Sequence, residues 1–265
     1  MIYCNLKGGL GNMLFQIAAT KSISIDNKTE CSFPNLYTHL QYLNSDKSYN
    51  PSLNHSGEYL QILKNLKVTS PTTNNVSRYP FTYLQPPPFD NDVIIDGFFQ
   101  SEKYFVHNRE SILDFIKPTQ EIIDIINEKY GGIINGKSTS IHIRRGDYVN
   151  HPNHHPVQSI EYYNNAIALL KDKTDNFVVF SDDIEWCKNN LKTDGIIYID
   201  SEKDYIELYL MSLCDNNIIS NSSFSWWGAW LNENNNKVVI GPNKWFGLAI
   251  NHDTIDILPE SWIKM

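Results

Sequence analysis

A chain of 265 residues with 41% apolar side chains is long enough to bury one large core or two smaller ones without disulfides or a structural metal. Its 22 basic and 30 acidic side chains give a formal charge of −8. With no long basic run, a broad electrostatic footprint for nucleic acid or an anionic membrane is excluded, and any anionic ligand must be held by a local site.

MIYCNL at 1–6 reads as a buried strand, GGLGN at 8–12 as a tight loop, and 13–25 as a helix with Leu14, Ile17, Ala18 and Ile25 as its apolar positions. In this β-loop-α opening the glycines let a ligand approach the backbone, and a helix amino terminus favours negative charge. The spacing is neither G-x-G-x-x-G nor a P-loop, so taken alone the string is a tight turn. Residues 29–33 suggest a second strand, whereas 34–92 is polar and proline-punctuated and resolves only into mixed short elements. DND at 90–92 has the D-x-D spacing of a metal–diphosphate motif, but it follows three prolines and precedes a strand at 93–95, so it reads as a loop. FFQSEKYF then starts a helix, and 110–128, helical in pattern around Pro118, bridges two α/β halves.

Further on, short apolar runs at 138–144, 176–180, 196–199, 217–220 and 237–240 alternate with helix-like stretches at 159–171, 184–191, 203–213 and 223–232. Alternation of this kind implies a parallel sheet with crossover helices, an α/β fold. The expected division is an amino-terminal domain over 1–115 and a carboxyl-terminal domain over 116–265 that includes the tail.

Three strings in the second half carry candidate chemistry. IHIRRGDYVN (141–150) places His142 and Arg144 on one face of a strand, because strand side chains alternate. Gly146 permits a sharp turn, so Arg145 and Asp147 fan out just past the strand's carboxyl end, where open α/β sheets bind ligands. Paired arginines beside an aspartate are commonly a surface salt bridge worth less than about 1 kcal/mol. A planar guanidinium is equally the usual choice for bidentate phosphate binding. FVVFSDDIEWC runs a strand into Asp182 and Asp183, which either cap the next helix or accept hydrogen bonds from a nucleoside. SNSSFSWWGAWL gathers Ser220, Asn221, Ser222, Ser223 and Ser225 at a helix start, an anion site that needs no net positive charge. Its aromatics, Phe224, Trp226, Trp227 and Trp230, read as helix core.

The histidines His151, His154 and His155 lie in a Pro/Asn-rich loop without the helical i, i+4 spacing of a zinc pair, although one of them could serve as a base. Cys4, Cys31, Cys187 and Cys214 are scattered and form no C-x-x-C pair, so they read as reduced and buried. The opening MIYCNLKGGLGNMLFQ has no basic region followed by an uninterrupted apolar stretch, and no run of about 20 apolar residues follows. The expectation is a soluble, cytoplasmic protein without a membrane span, with peripheral association through a partner left open.

GGLGNMLFQ, DGFFQSEKYF, HIRRGDYV, SNSSFSWWGAWL and GPNKWF occur here in the order and spacing of the family 11 α-1,2-fucosyltransferases, which use GDP-fucose, and the chain resembles that family from residue 1 to about 246. Met13 follows GLGN where many relatives have glutamine. The resemblance implies a GT-B fold of two Rossmann-like halves facing a cleft, with GDP-fucose held mainly by the second half. It implies inversion at the fucose anomeric carbon, transfer to the 2-hydroxyl of a glycan acceptor such as a β-galactoside, and no metal or other cofactor. Carried over by position, Arg144 contacts the diphosphate, Ser222, Ser223 and Phe224 line it, and His142 and Asp182 lie on the nucleoside side. Gly11, Asn12 and Arg145 join the donor site. Arg144 would stabilise the departing GDP electrostatically, and Asp147 and His154 are conceivable general bases. Two other classes stand beside this one: a transferase for a different sugar nucleotide, and a catalytically silent nucleotide-sugar or glycan-binding module.

Overall fold

The structure, a computed structural model, describes residues 1–45 and 56–265; positions 46–55 of the mixed stretch 34–92 lie outside the described residues. In chain order its elements are β1 (Ile2–Cys4), α1 (Leu10–Asp26), β2 (Cys31–Ser32), α2 (Leu36–Ser45), α3 (Leu60–Leu63), β3 (Val76–Arg78), β4 (Val93–Asp96), α4 (Arg109–Phe115) and α5 (Gln120–Ile134). There follow β5 (Ser138–Ile143), α6 (Ile160–Leu170), β6 (Asn176–Ser181), α7 (Ile184–Asn190), β7 (Ile196–Tyr198), α8 (Asp204–Leu213), β8 (Asn216–Ile218), α9 (Ser223–Trp230), β9 (Val239–Gly241) and β10 (Ile263–Lys264).

Two compact units result, dividing between Lys117 and Pro118. The helical pattern around Pro118 is two helices, because proline supplies no N–H and disfavours helix in the residue before it. Thr119 restarts the helix by accepting a hydrogen bond from the Ile122 N–H at 3.4 Å. The expectation gave the whole tail to the second half, but His252–Pro259 cluster with the first unit and only Glu260–Met265 with the second. Asp256 explains this, since it accepts from the Tyr83 N–H at 3.1 Å and pairs with Lys103.

In the first unit β2, β1, β4 and β3 form a parallel sheet in that order. β1 is buried throughout and α1 almost so, with Met13, Phe15, Ile17 and Ala18 fully enclosed. β3 carries no apolar pattern, because its side chains are exposed or half-exposed on an edge strand.

In the second unit six parallel strands run β10-β9-β8-β5-β6-β7. The chain winds outward from β5 through β6 to β7, returns along α8 to the other side of β5, and winds outward again through β8, β9 and β10. This is the doubly wound Rossmann order, and its direction reverses between β5 and β8. Every residue of β5 is buried, as expected for a strand covered on both faces. The core joins Ile141, Ile143, Val179, Ile218 and Ile240 of the sheet to Tyr163, Ala166 and Leu170 of α6. Polar residues beneath β8 are satisfied internally: the Asn217 amide donates to Ser140 Oγ at 2.7 Å and to the Met211 carbonyl at 2.8 Å, and Asn232 donates to Asn217 Oδ1 at 2.8 Å. All four cysteines are buried and unpaired.

α9 is enclosed from Ser225 onward, with Trp226, Trp227 and Trp230 packed against one another and Trp262 of the tail 5.4 Å from Trp226. Gly228 lets this helix approach α8, since a Cβ there would lie 2.9 Å from Met211 Cβ and 3.0 Å from its Cε. A helical Gly→Ala change ordinarily stabilises by about 0.5–1 kcal/mol, whereas overpacking a filled core costs roughly 1–3 kcal/mol. The clash involves a Cβ that cannot swing aside, so Gly228→Ala should lower the melting temperature. Gly132→Ala, in α5 with nothing within 4 Å of the new methyl, should leave it unchanged or raise it. Thermal denaturation of the two variants checks the opposite signs.

Candidate functional site

The reversal between β5 and β8 sends the following segments apart and leaves the carboxyl ends of these two strands side by side. β5 delivers His142 and Arg144, and β8 runs into Ser220–Ser222 and the start of α9. The two ends are tied together by the His142 Nδ1 and Ser220 Oγ hydrogen bond of 2.9 Å. A second tie is the Tyr148 hydroxyl, which donates to the Asn221 carbonyl at 3.1 Å.

Arg144 is held between two carboxylates. One terminal nitrogen donates to Asp147 Oδ1 at 2.7 Å; the other lies 3.1 Å from Asp182 Oδ2, an ion pair without the alignment of a hydrogen bond. Burial alone would weaken the Arg144 charge, but Asp182 and Asp147 outweigh it and the guanidinium is held more firmly protonated than usual. Its carbon stands 5.4 Å from the Tyr148 ring centroid. Gly146 is required here for space, because a Cβ would come within 2.5 Å of Asp182 Oδ2.

Arg145 has different partners. Its Nε donates to Asp183 Oδ2 at 2.9 Å and its guanidinium lies over Trp186 at 4.1 Å, while its backbone N–H donates to Asp182 Oδ1 at 2.8 Å. Asp183 also caps α7 by accepting from the Trp186 N–H at 3.2 Å. The capping reading holds for Asp183, while Asp182 braces the arginine loop.

His142 is buried and lies 5.5 Å from the Phe224 ring. Burial, reinforced by the charge of Arg144, pushes it down to about 3, so the ring is neutral at physiological pH. At the start of α9, Ser222 accepts from the Phe224 N–H at 3.3 Å, and Ser225 donates to the Ser222 carbonyl at 3.2 Å. Ser223 and Phe224 are partly exposed, so Phe224, unlike the tryptophans, is not core.

His142, Arg144, Arg145, Asp147, Asp182, Ser222, Ser223 and Phe224 are therefore gathered at the carboxyl ends of β5, β6 and β8. Gly11 and Asn12 lie instead at the start of α1 in the first unit, where Asn12 Oδ1 accepts from Gln100 Nε2 at 2.6 Å. His154 is exposed in its loop. The histidine beside the site is His155, whose ring stacks on Tyr148 at 4.8 Å and whose Nδ1 is buried without a partner. Burial lowers its pKa, Asp147 opposes this, and His154, Arg144 and His151 add to the lowering. Glu207 in the first turn of α8 also escaped notice. Burial, with Asp204, Glu202, Asp182 and Asp200 contributing, raises its carboxyl well above the ordinary range. Asp204 shares its helix and Glu202 and Asp200 precede it closely, but the burial that dominates and the approach of Asp182 come from the fold and left no cue in the sequence. Among the described residues no group of three or more His, Cys, Asp or Glu side chains could hold a metal ion.

The sequence matches the profile of Glycosyl transferase family 11 across residues 1–263. The chain belongs to glycosyl transferase family 11. It is 30% identical to the O-antigen biosynthesis glycosyltransferase WbnK of Escherichia coli, with all of both chains covered. It is also 30% identical to an α-1,2-colitosyltransferase of the same species, covering all of this chain and 99% of that one. Among solved structures the fucosyltransferase NodZ from Bradyrhizobium superposes with a TM-score of 0.54 at 12% identity, over 86% of this chain and 92% of the other. POFUT1 in complex with GDP-fucose gives 0.51 at 11% identity, over 90% and 96%. This glycosyltransferase thus shares the α/β, Rossmann-like GT-B fold with solved fucosyltransferases to which it is only 11–12% identical.

The neutrality of His142 has a measurable consequence. Unfolded, it ionises near the ordinary histidine value of about 6.5, and folded only at about 3. Between those values the unfolded chain binds a proton that the native state does not, so this group's contribution is complete above the upper value and is lost as pH falls toward the lower one. His142→Gln keeps a hydrogen-bonding partner for Ser220 without titrating. Its melting temperature should fall less than that of the wild type between about pH 7 and 5, as read by calorimetry; parallel slopes would remove His142 as the cause.

Proposed function

We propose that this family 11 glycosyltransferase moves L-fucose from GDP-β-L-fucose to the 2-hydroxyl of a galactoside-type glycan acceptor, with inversion at the anomeric carbon. The observation that carries this reading is that the end of β5, which bears Arg144, is tied to the segment that opens α9 through the His142–Ser220 and Tyr148–Asn221 hydrogen bonds. A guanidinium has five N–H donors and the two carboxylates engage only part of them, so Arg144 can be fixed in place and still present donors to a diphosphate. Free N–H groups of the first turn of α9 and the Ser223 hydroxyl supply further donors to an anion. Fixed donors aimed at the departing GDP lower the barrier because they need no reorganisation as charge develops. Asp147, with one oxygen on Arg144 and its side chain 29% exposed, is better placed to receive the acceptor proton than His154. The relatives lend support: α-1,2 transfer stands in the name of one E. coli protein, and GDP-fucose is bound in the POFUT1 structure. In this reading the enzyme is cytoplasmic and serves surface-glycan assembly, in keeping with WbnK and with the lack, among the described residues, of a helix able to cross a membrane.

A second reading, a colitosyl donor in place of fucose, is favoured by the full-length identity to the colitosyltransferase. Mass spectrometry of products from both donors with lactose or N-acetyllactosamine decides between them.

Calorimetry should show GDP bound in preference to UDP; equal affinities would sink the donor assignment. Arg144→Lys keeps the charge and loses the planar fork, and loss of such a transition-state donor costs on the order of 100-fold or more in turnover. Arg145→Ala should be milder, because its guanidinium is already committed to Asp183 and Trp186. Arg144→Lys transferring within a few-fold of wild type would show that the site does not read the diphosphate by geometry.

The donor set proposed is made of nitrogen and hydroxyl groups, so transfer should also persist in EDTA. Abolished turnover restored by manganese or magnesium would refute metal independence and return attention to Asp90 and Asp92.

A further inference from the structure

The carboxyl edge of the first unit's sheet carries a constellation that the donor chemistry does not use. β1, β4 and β3 are parallel, with Cys4 opposite Ile95 and Arg78 opposite Asp96, so all three chains leave the sheet at one edge. There Lys7 Nζ lies 2.6 Å from Asp96 Oδ1, and Arg78 Nε 3.8 Å from Asp96 Oδ2, with the Asp96 side chain 45% exposed. Lys7 Nζ also stands 4.8 Å from the ring centroid of Phe98, an aromatic residue left 36% exposed.

The backbone is shaped to present that ring. Phe99 is fully buried against Tyr79 and Tyr104, yet it adopts a φ of 53°, a region sparsely occupied by bulky residues. At Gly97 a Cβ would lie 3.0 Å from Tyr79 Cβ and 3.2 Å from the Phe99 ring, so the glycine lets the chain pass close to both. Turning Phe99 inward at this position leaves Phe98 at the surface, and such strain persists where the surrounding structure over-determines it, commonly at ligand sites.

The side chains select the ligand class. A phosphate would meet the carboxylate of Asp96, and a wholly apolar ligand would strip Lys7 and Asp96 of solvent without replacing it. A saccharide satisfies all three groups: its hydroxyls donate to a carboxylate and accept from an ammonium, and the C–H face of a pyranose covers an aromatic ring. We propose that Asp96, Lys7 and Phe98 form the subsite that binds the acceptor saccharide. The proposal rests on the reading of this chain as a glycan-directed transferase, but its test does not depend on the donor.

Exposed ion pairs contribute little to stability, so Asp96→Asn and Phe98→Ala should keep the wild-type circular dichroism spectrum and melting temperature. Saccharide binding is read directly by ligand-observed NMR titration with lactose and N-acetyllactosamine. The dissociation constant should rise roughly tenfold or more in Asp96→Asn, the usual weight of a hydrogen bond to a charged group. It should rise about two- to tenfold in Phe98→Ala and stay near wild type in Phe98→Trp, which keeps the platform. Saccharide affinity unchanged in both Asp96→Asn and Phe98→Ala, or no saccharide bound by the wild type, would overturn the subsite. GDP calorimetry on the same proteins should be unaffected by the substitutions. A wild type that bound saccharide but not GDP would refute the donor assignment and uphold the subsite.

Discussion

Two strands that lie side by side but are far apart in the chain govern the second unit. β5 and β8 are hydrogen-bonded neighbours, yet β6, α7, β7 and α8 intervene between them in sequence. A right-handed crossover on one side of β5 and another on the opposite side cannot both cover the sheet's edge, so a crevice is left where the winding reverses. Everything polar in the site is arranged around it. The bond between His142 and Ser220 ties the two strand ends together, and Tyr148 bonds across to Asn221. Had the chain continued winding one way, HIRRGDY and SNSSF would have emerged at separate places on the edge.

The protein is acidic overall, and the cation at this sheet reversal has its charge fixed by its immediate neighbours. Arg144 is partly withdrawn from water, where a lone cation would be unfavourable, and Asp147 and Asp182 stabilise its charge. Asp182 in turn is fixed by the Arg145 N–H and by the absence of a side chain at Gly146. The neighbouring imidazole of His142 stays neutral, so it adds a hydrogen-bonding group without a second positive charge beside Arg144. Arg144 thus owes its firmly held charge to neighbours in the same loop and at the end of the next strand, and His142 owes its neutrality first to burial and then to Arg144.

The parts legible from sequence are those whose signal is local. The alternation of IHI, the apolar run FVVF, a cap within the acidic pair, found at Asp183, and the paired strand-helix spacing of the second half all survive in the structure. What was not legible depends on distant segments. β3 has no apolar period because it is an exposed edge, and β10 is two exposed residues recruited by β9. His155 could not be told from His154 in sequence, since only the fold shows which ring stacks on Tyr148. Glu207 looked like any helical glutamate, because its burial and the approach of Asp182 appear only in the folded chain. Asp182 itself offered two readings, and a third role, bracing a guanidinium from the preceding strand, required the tertiary contact to be seen.

The return of His252–Pro259 to the first unit bears on how the chain is made. Asp256 grips the backbone of Tyr83 and the side chain of Lys103, partners 173 and 153 residues earlier, and His252 stacks on Phe81 at 4.6 Å. On the ribosome, the amino-terminal unit therefore waits for a piece that is synthesised only after all of β5 to β9. Folding of one domain after another in order of synthesis leaves the first unit without these contacts until the end. The nascent first unit must persist with an unfilled surface around Tyr83 and Lys103 during synthesis of the other, and long-range closure of this kind is slow. A chaperone that acts on this protein would have its longest opportunity there, on the half that is translated first.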